Sequence, residues 1–295
     1  MLANTSFDIV IIGHFAKDSL VVDGHGEIAS GGGVYYGSVA LRRLGLRVAV
    51  VTRLHPADFS RLDELKGEGV RVFAAPAPAT SGIENIYDSS DMERRICKLK
   101  GFAGPFQPED IPPLSAHIYL VASIIAGEVD LPLLKSLARR GPVAIDIQGF
   151  VRVAEGKDLV FRQWPEMEKG LSHVTYLKVD RAEAELLTGH TDAVAAVRRL
   201  AEYGPREVVL TESPGVTVCV AGEIYQAPFT PRSLAGRTGR GDTCFATYLG
   251  RRLTAPPEEA TRVAAAVTTL KQERPGPWRG TWADVEALLT ALRPD

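Results

Sequence analysis

Short apolar runs rich in β-branched residues recur at Ile9–Ile12, Val48–Thr52, Ile118–Val121, Val143–Ile147, Val174–Leu177 and Val208–Thr211. Between many of them lie segments with apolar residues three and four apart: Val34–Leu44, Leu131–Arg139, Ala193–Tyr203, Thr243–Leu253 and Pro257–Gln272. The first pattern fits strands buried on both faces and the second fits helices with one apolar stripe. Their alternation predicts an α/β fold, a parallel sheet covered by helices on both sides. Two stretches break it: Asp18–Asp23, and Ile83–Asp88 with Arg94–Leu99 across the polar turn Ser89-Ser90-Asp91. The second reads as a β-hairpin with Ile83 and Ile86 against Ile96 and Leu99. Strands inserted in this way predict a small separate sheet. No repeat, low-complexity linker or break in composition marks a second full domain, so residues 1–295 are expected to form one domain.

Composition narrows the function classes. The chain is 45% hydrophobic and 24% charged, and no apolar run approaches the roughly 20 residues of a membrane span. A formal charge of −2 provides no large positive field, so nucleic acid and membrane are not expected as partners and any anion must be held by local geometry. Cys97, Cys219 and Cys244 are odd in number and lack the paired spacing of a zinc or redox site, which reads as reduced thiols. The opening MLANTSFDIVIIG has no secretory pattern, so a cytoplasmic location is expected.

The segment carrying most chemistry is Gly236-Arg237-Thr238-Gly239-Arg240-Gly241-Asp242-Thr243, ahead of the helical run to Leu253. Glycines permit a tight turn, and successive N–H groups at a helix start accept negative charge. Asp242 falls in the first helical turn, where it either reaches a substrate hydroxyl or favours the helix dipole. This segment resembles the D-T-x-G-A-G-D signature of the ribokinase-like (PfkB) carbohydrate kinases. The resemblance implies an anion hole at Gly239, Arg240 and Gly241, and a general base at Asp242. The leading Asp and Thr of the signature fall on Gly236 and Arg237, and its Ala falls on Arg240.

Further segments match the family in order. Lys178-Val179-Asp180-Arg181-Ala182-Glu183 through Thr188-Gly189 resembles K-P-N-x-x-E-A-x-x-L-T-G. The match implies that Asp180 and Glu183 organise Mg²⁺ through water, and a helix-capping box explains the same pair. Ser30 to Gly33 with the helix after it resembles the N-terminal di-glycine motif, placing Gly32 and Gly33 against the sugar, with Gly37 where the family has Asn. These glycines start too far after the first strand for a dinucleotide fingerprint. Asp18 follows the first strand where the family has an Asp that binds substrate hydroxyls; an exposed strand residue is the alternative. His14 reads as a structural residue. Asp146-Ile147-Gln148-Gly149-Phe150 resembles D-x-N-x-R, with Gln148 for Asn as a substrate contact and Phe150 for Arg. That missing Arg argues against an acceptor carrying its own phosphate.

Thr211-Glu212-Ser213-Pro214-Gly215 takes the place of the family's nucleotide loop, so Thr211 is expected near the donor. Adenine is then expected between this loop and Ala264-Ala265-Ala266, whose small side chains are equally explained by helix packing. The resemblance implies a three-layer α/β/α sandwich of ribokinase-like fold with a small β-sheet lid near residues 14–30 and 82–102. It also implies a kinase that uses ATP and Mg²⁺ on a small sugar or polyol, as a monomer or homodimer. The strings GGG-x-YY and D-I-Q-G-F look most like the inositol-kinase branch. A nucleoside or ribose kinase of the same fold, or a binding protein without catalysis, stands as the alternative.

Overall fold

The computed structural model describes residues 6–23, 25–88 and 91–292. In chain order the first half contains β1 (Ser6–Ile12), β2 (Ala16–Val22), β3 (His25–Gly31), α1 (Gly33–Arg43), β4 (Val48–Leu54), α2 (Asp63–Gly67), β5 (Arg71–Pro76), β6 (Gly82–Asp88), β7 (Asp91–Gly101), β8 (Ser115–Val121) and α3 (Leu131–Ala138). The second half contains β9 (Val143–Asp146), α4 (Gln148–Val151), β10 (Arg152–Glu155), β11 (Asp158–Phe161), α5 (Met167–Leu171), β12 (Tyr176–Asp180), α6 (Arg181–Thr188), α7 (Ala193–Ala201), β13 (Glu207–Thr211), β14 (Gly215–Val220), β15 (Glu223–Pro228), α8 (Arg240–Arg252), α9 (Pro257–Gln272) and α10 (Trp282–Ala291). No helix among the described residues is long and apolar enough to cross a membrane.

Strand alternation explains the layering. In β1, Val10 and Ile12 join one buried cluster with Ala49, Val51, Tyr119 and Val121, beneath α3, α6 and α7. Ile9 and Ile11 point the other way, with Val48, Val50, Ile118 and Leu120, beneath α1, α8 and α9. Side chains of a strand alternate between faces, so a strand apolar at every position needs cover on both. The main sheet runs β15-β14-β13-β12-β9-β8-β1-β4-β5. From β13 to β5 all pairings are parallel, while β14 and β15 add an antiparallel edge.

The chain leaves β1 toward β4 on one side and later returns to β8 on the other. Strand order therefore reverses between β1 and β8, and the carboxyl ends of strands at such a point open a crevice. Over that edge lies a second sheet, β10-β11-β7-β6-β2-β3. It contains the expected hairpin with Ile83 opposite Leu99 and Ile86 opposite Ile96; the turn residues Ser89 and Ser90 fall outside the described residues. A third segment, Arg152–Phe161, also joins this sheet, which extends the boundaries expected from sequence.

One buried carboxylate ties the two sides of the crevice together. Glu128, fully enclosed, accepts the N–H groups of His14 (3.1 Å), Ile124 (2.7 Å) and Ile125 (2.9 Å), linking the chain after β1 to the chain after β8. His14 is also enclosed, hydrogen-bonded through Nδ1 to Ser81 Oγ at 2.7 Å and flanked by Phe102 and Phe106, which makes it structural. Burial pushes Glu128 up to about 7 despite the three N–H donors. Its folded value lies above the ordinary 4.5, so its contribution to stability is full below about 4.5 and is lost as pH rises through about 7. Glu128→Ala leaves three buried donors unsatisfied and is expected to cost about 2–4 kcal/mol in urea unfolding. In Glu128→Gln the pH dependence between those two values should flatten.

Candidate active site

The crevice holds a cavity of about 330 Å³, walled by both sheets and by the start of α8. Sheet register sets its charges. Lys178 in β12 lies opposite Asp146 in β9, and Asp180 opposite Thr211 in β13. Lys178 Nζ is 3.0 Å from Asp146 Oδ2 and 3.8 Å from Glu183 Oε2, all three side chains being nearly inaccessible. Burial pulls the Lys178 pKa down, but the carboxylates of Asp146, Glu183, Asp180 and Asp242 outweigh it and hold the ammonium protonated.

Helix α8 is capped at its start by Gly239, whose φ of 80° is the left-handed region open to glycine. A Cβ there would stand 2.3 Å from the Tyr36 ring, and one on Gly241 would stand 3.1 Å from Lys178 Cε. The Arg240 N–H, expected to face an anion, instead donates to the Arg237 carbonyl (3.2 Å) and closes the turn. By position in the helix, the N–H groups of Gly241 and Asp242 have no intrahelical acceptor. Desolvation raises the Asp242 carboxyl to about 6, reinforced by Asp146 and opposed by Lys178, Arg152 and Lys271. A carboxylate so poised is a competent base near neutral pH.

The residues singled out from sequence largely converge. Asp18, Gly32, Gln148, Asp180, Thr211, Gly239, Arg240, Gly241 and Asp242 line the cavity. Gly33 touches it through Asp242, since its Cβ would be 3.0 Å from Asp242 Oδ1. Glu183 lies behind the wall. It completes the capping box with Asp180, whose carboxylate accepts the Glu183 N–H (2.8 Å) while Glu183 Oε2 accepts the Asp180 N–H (2.7 Å). Glu183 Oε1 is buried with no hydrogen-bond partner, and burial pushes this carboxyl upward against the pull of Lys178.

Three readings change. Phe150 is buried against Trp164, but a guanidinium is present two residues on, in Arg152, which lines the cavity and donates to Gln148 Oε1 at 2.7 Å. The absence of an Arg therefore does not distinguish acceptors. Gly37 is a packing residue, its missing Cβ 3.1 Å from Ala246 Cβ where α1 crosses α8, and it does not reach the cavity. Ala264, Ala265 and Ala266 are buried in the apolar core. Among the described residues, none from α9 or from Glu212–Pro214 lines the cavity.

Sequence reasoning missed Tyr36, Ile83, Asn85, Ile124, Arg152, Arg237 and Thr238 as lining residues, and quoted Asp146 and Lys178 without a role. Lys178 did carry a signal, being a lone charge inside the strand Tyr176–Val179.

A glycine turn at a helix start, a basic carboxylate and a cation pinned among acids are groups that phosphoryl transfer can use. The pfkB family carbohydrate kinase pattern matches residues 4–282, and the chain belongs to that family. It is a sugar or polyol kinase of the ribokinase family. A pyrophosphate-dependent kinase in the ribokinase family, solved with sulfate, is 39% identical over 95% of this chain and 99% of its own, with a TM-score of 0.89. A pyrophosphate-dependent kinase of that family complexed with a pyrophosphate analog and myo-inositol is 38% identical over 95% and 99%, with a TM-score of 0.88. The ribokinase of Arabidopsis thaliana complexed with ribose and ATP shares the fold at a TM-score of 0.77 and 20% identity, over 97% of this chain and 99% of its own. No curated protein matches the chain.

Close approach at Gly33 yields a test. A methyl group there would stand 2.7 Å from Ala122 Cβ, which must shift, and 3.0 Å from the Asp242 carboxylate, which must give by a few tenths of an ångström. Gly33→Ala is expected to lower kcat about 3- to 10-fold, less than the ~100-fold of a full 1 Å misplacement. The accompanying stability loss should be only about 1–3 kcal/mol. Gly67→Ala, with open space at the same point, is the control that keeps full activity.

Proposed function

We propose that the chain transfers a phosphoryl group from inorganic pyrophosphate to a hydroxyl of a neutral cyclic polyol such as myo-inositol. The observation that carries this reading is the cavity itself. At about 330 Å³ it lies at the small end of the ~300–1,000 Å³ typical of ligand pockets. Its wall presents Arg152, Lys178, Arg237 and Arg240 against Asp18, Asp146, Asp180 and Asp242, a density of charge suited to a small, highly charged donor. Relatives 38–39% identical that are pyrophosphate-dependent support the same donor.

The acceptor end suits hydroxyl groups. Asp18 Oδ1 accepts the Ile83 N–H (2.8 Å), and Oδ2 lies over Gly31, where a Cβ would be 2.2 Å away. Gln148 gives its carbonyl oxygen to Arg152, and Asn85 accepts from Cys97 Sγ at 3.3 Å, so both amide NH₂ groups are left as donors. Alternating carboxylate acceptors and amide donors match a polyol, whose every oxygen both donates and accepts. The second sheet, acting as a lid, would exclude water from this pairing.

In the reaction, the acceptor oxygen attacks phosphorus while its proton passes to Asp242, the bridging P–O bond breaks, and orthophosphate leaves. Charge on the transferring group is met by the N–H groups of Gly241 and Asp242 and by the Lys178 ammonium. Gly239 and Arg240 shape this turn, and Thr211 contacts the donor. The acidic residues also fit Mg²⁺. Mg²⁺ keeps several of its waters and needs only one or two carboxylates. Asp180 and Glu183, with its unpartnered oxygen, would hold it through water, and it would neutralise donor charge.

The test is an acceptor and donor matrix with Mg²⁺, pairing pyrophosphate or ATP with myo-inositol, ribose or a nucleoside. Pyrophosphate with myo-inositol should give the highest kcat/KM. A higher value with ATP would overturn the donor, and preference for ribose or a nucleoside would overturn the acceptor. Asp242→Asn should lower kcat about 10²–10⁴-fold. Its pyrophosphate affinity, read by calorimetry, should stay near that of the parent.

A further inference from the structure

Lys271, on the last turn of α9, is only 2% exposed and, beyond its pull on the Asp242 carboxyl, has no role in the chemistry above. A buried ammonium is costly unless its surroundings use it. Here Nζ donates to the Gly236 carbonyl and lies 5.1 Å from the centroid of the Tyr36 ring. Gly236 is pressed onto the same helix end. Its N–H donates to the Gln272 carbonyl (2.8 Å), and a Cβ there would be 1.8 Å from the Arg274 carbonyl oxygen. At the other end of the turn, Gly239 rests on that Tyr36 ring. One ammonium thus grips the first residue of the turn and, through the aromatic face, braces the last.

We propose that Lys271 is a positioning residue of the phosphate-binding turn, its positive charge fixing residues 236–239 so that the Gly241 and Asp242 N–H groups meet the donor. This rests on the reading of the cavity as a pyrophosphate site. The Gly236 departure from the family signature then has a physical reason, since a side chain there would collide with the chain at and just past the end of α9.

The charge is conditional. Burial lowers the Lys271 pKa to about 8, with Asp242 of α8 pulling the other way. The other groups facing it are the Tyr36 phenol of α1, whose pKa burial raises, and Asp242 itself; Glu273, next on its own chain, is turned to the Arg232 N–H. Lys271 loses its proton as pH rises through about 8, so pyrophosphate affinity should fall across that range.

Inorganic pyrophosphate is the calorimetric probe, with Lys271→Met and Lys271→Arg compared with the parent between pH 6.5 and 9.5. Lys271→Met should weaken pyrophosphate binding about 10- to 100-fold, the range for a charged hydrogen bond. It should leave the KM for the polyol nearly unchanged and abolish the loss near pH 8. Lys271→Arg, charged throughout, should also lack that loss, which separates it from ionisation of the probe. Independently of any donor, amide hydrogen exchange over residues 237–242 should quicken in Lys271→Met. Unchanged exchange, or equal pyrophosphate affinity and pH profile in Lys271→Met, overturns the proposal. Absence of pyrophosphate binding in the parent overturns the donor reading, and the exchange measurement still decides the role of Lys271.

Discussion

The site depends on a lysine enclosed among acids. Removing an ammonium from water costs several kcal/mol, and only close carboxylates offset it. Lys178 meets that condition because parallel pairing sets it beside Asp146 and the α6 capping box holds Glu183 behind it. Loss of either carboxylate would strand the cation. The same cation requires the start of α8 to come close, which is possible because Gly241 has no side chain to meet it. Sheet register, helix cap and glycine turn are thereby one constraint rather than three motifs.

That constraint also tunes Asp242. A carboxyl with Asp146 nearby and little water is pushed upward, and the surrounding cations pull it back. The balance leaves a group that is ionised at neutral pH yet more basic than an exposed aspartate. Helix α1 contributes by distance alone: Gly33 lets Asp242 lie against its first turn, and Gly37 lets the two helices cross closely enough to hold it there.

Much of this was legible in the sequence. Strands apolar at every position announced a sheet covered on both faces, and the hairpin expected with Ile83 and Ile86 against Ile96 and Leu99 forms, with Ile83 paired to Leu99 and Ile86 to Ile96. The glycine turn located Asp242, and the acid spacing located Asp180 and Glu183. What stayed hidden were charges whose role comes from burial. Arg152 and Lys271 look like surface residues in a linear reading, and only Lys178, alone in an apolar strand, carried a local sign that the tertiary structure encloses it. The segment Arg152–Phe161 was missed because its two four-residue strands are too short to show a period. The alanines of α9 satisfied an expectation of space for a ring equally well as one of close packing, and the core claims them.

The central claim is that Asp242 is held as a base by burial among paired charges. Carbon-13 NMR titration of protein labelled at the aspartate carboxyl carbons reads this directly, in the free enzyme and without substrate. One aspartate signal should titrate near 6 and be missing from the spectrum of Asp242→Asn. If every aspartate carboxyl instead titrates below about 4.5, within the ordinary range of the group, the account is contradicted.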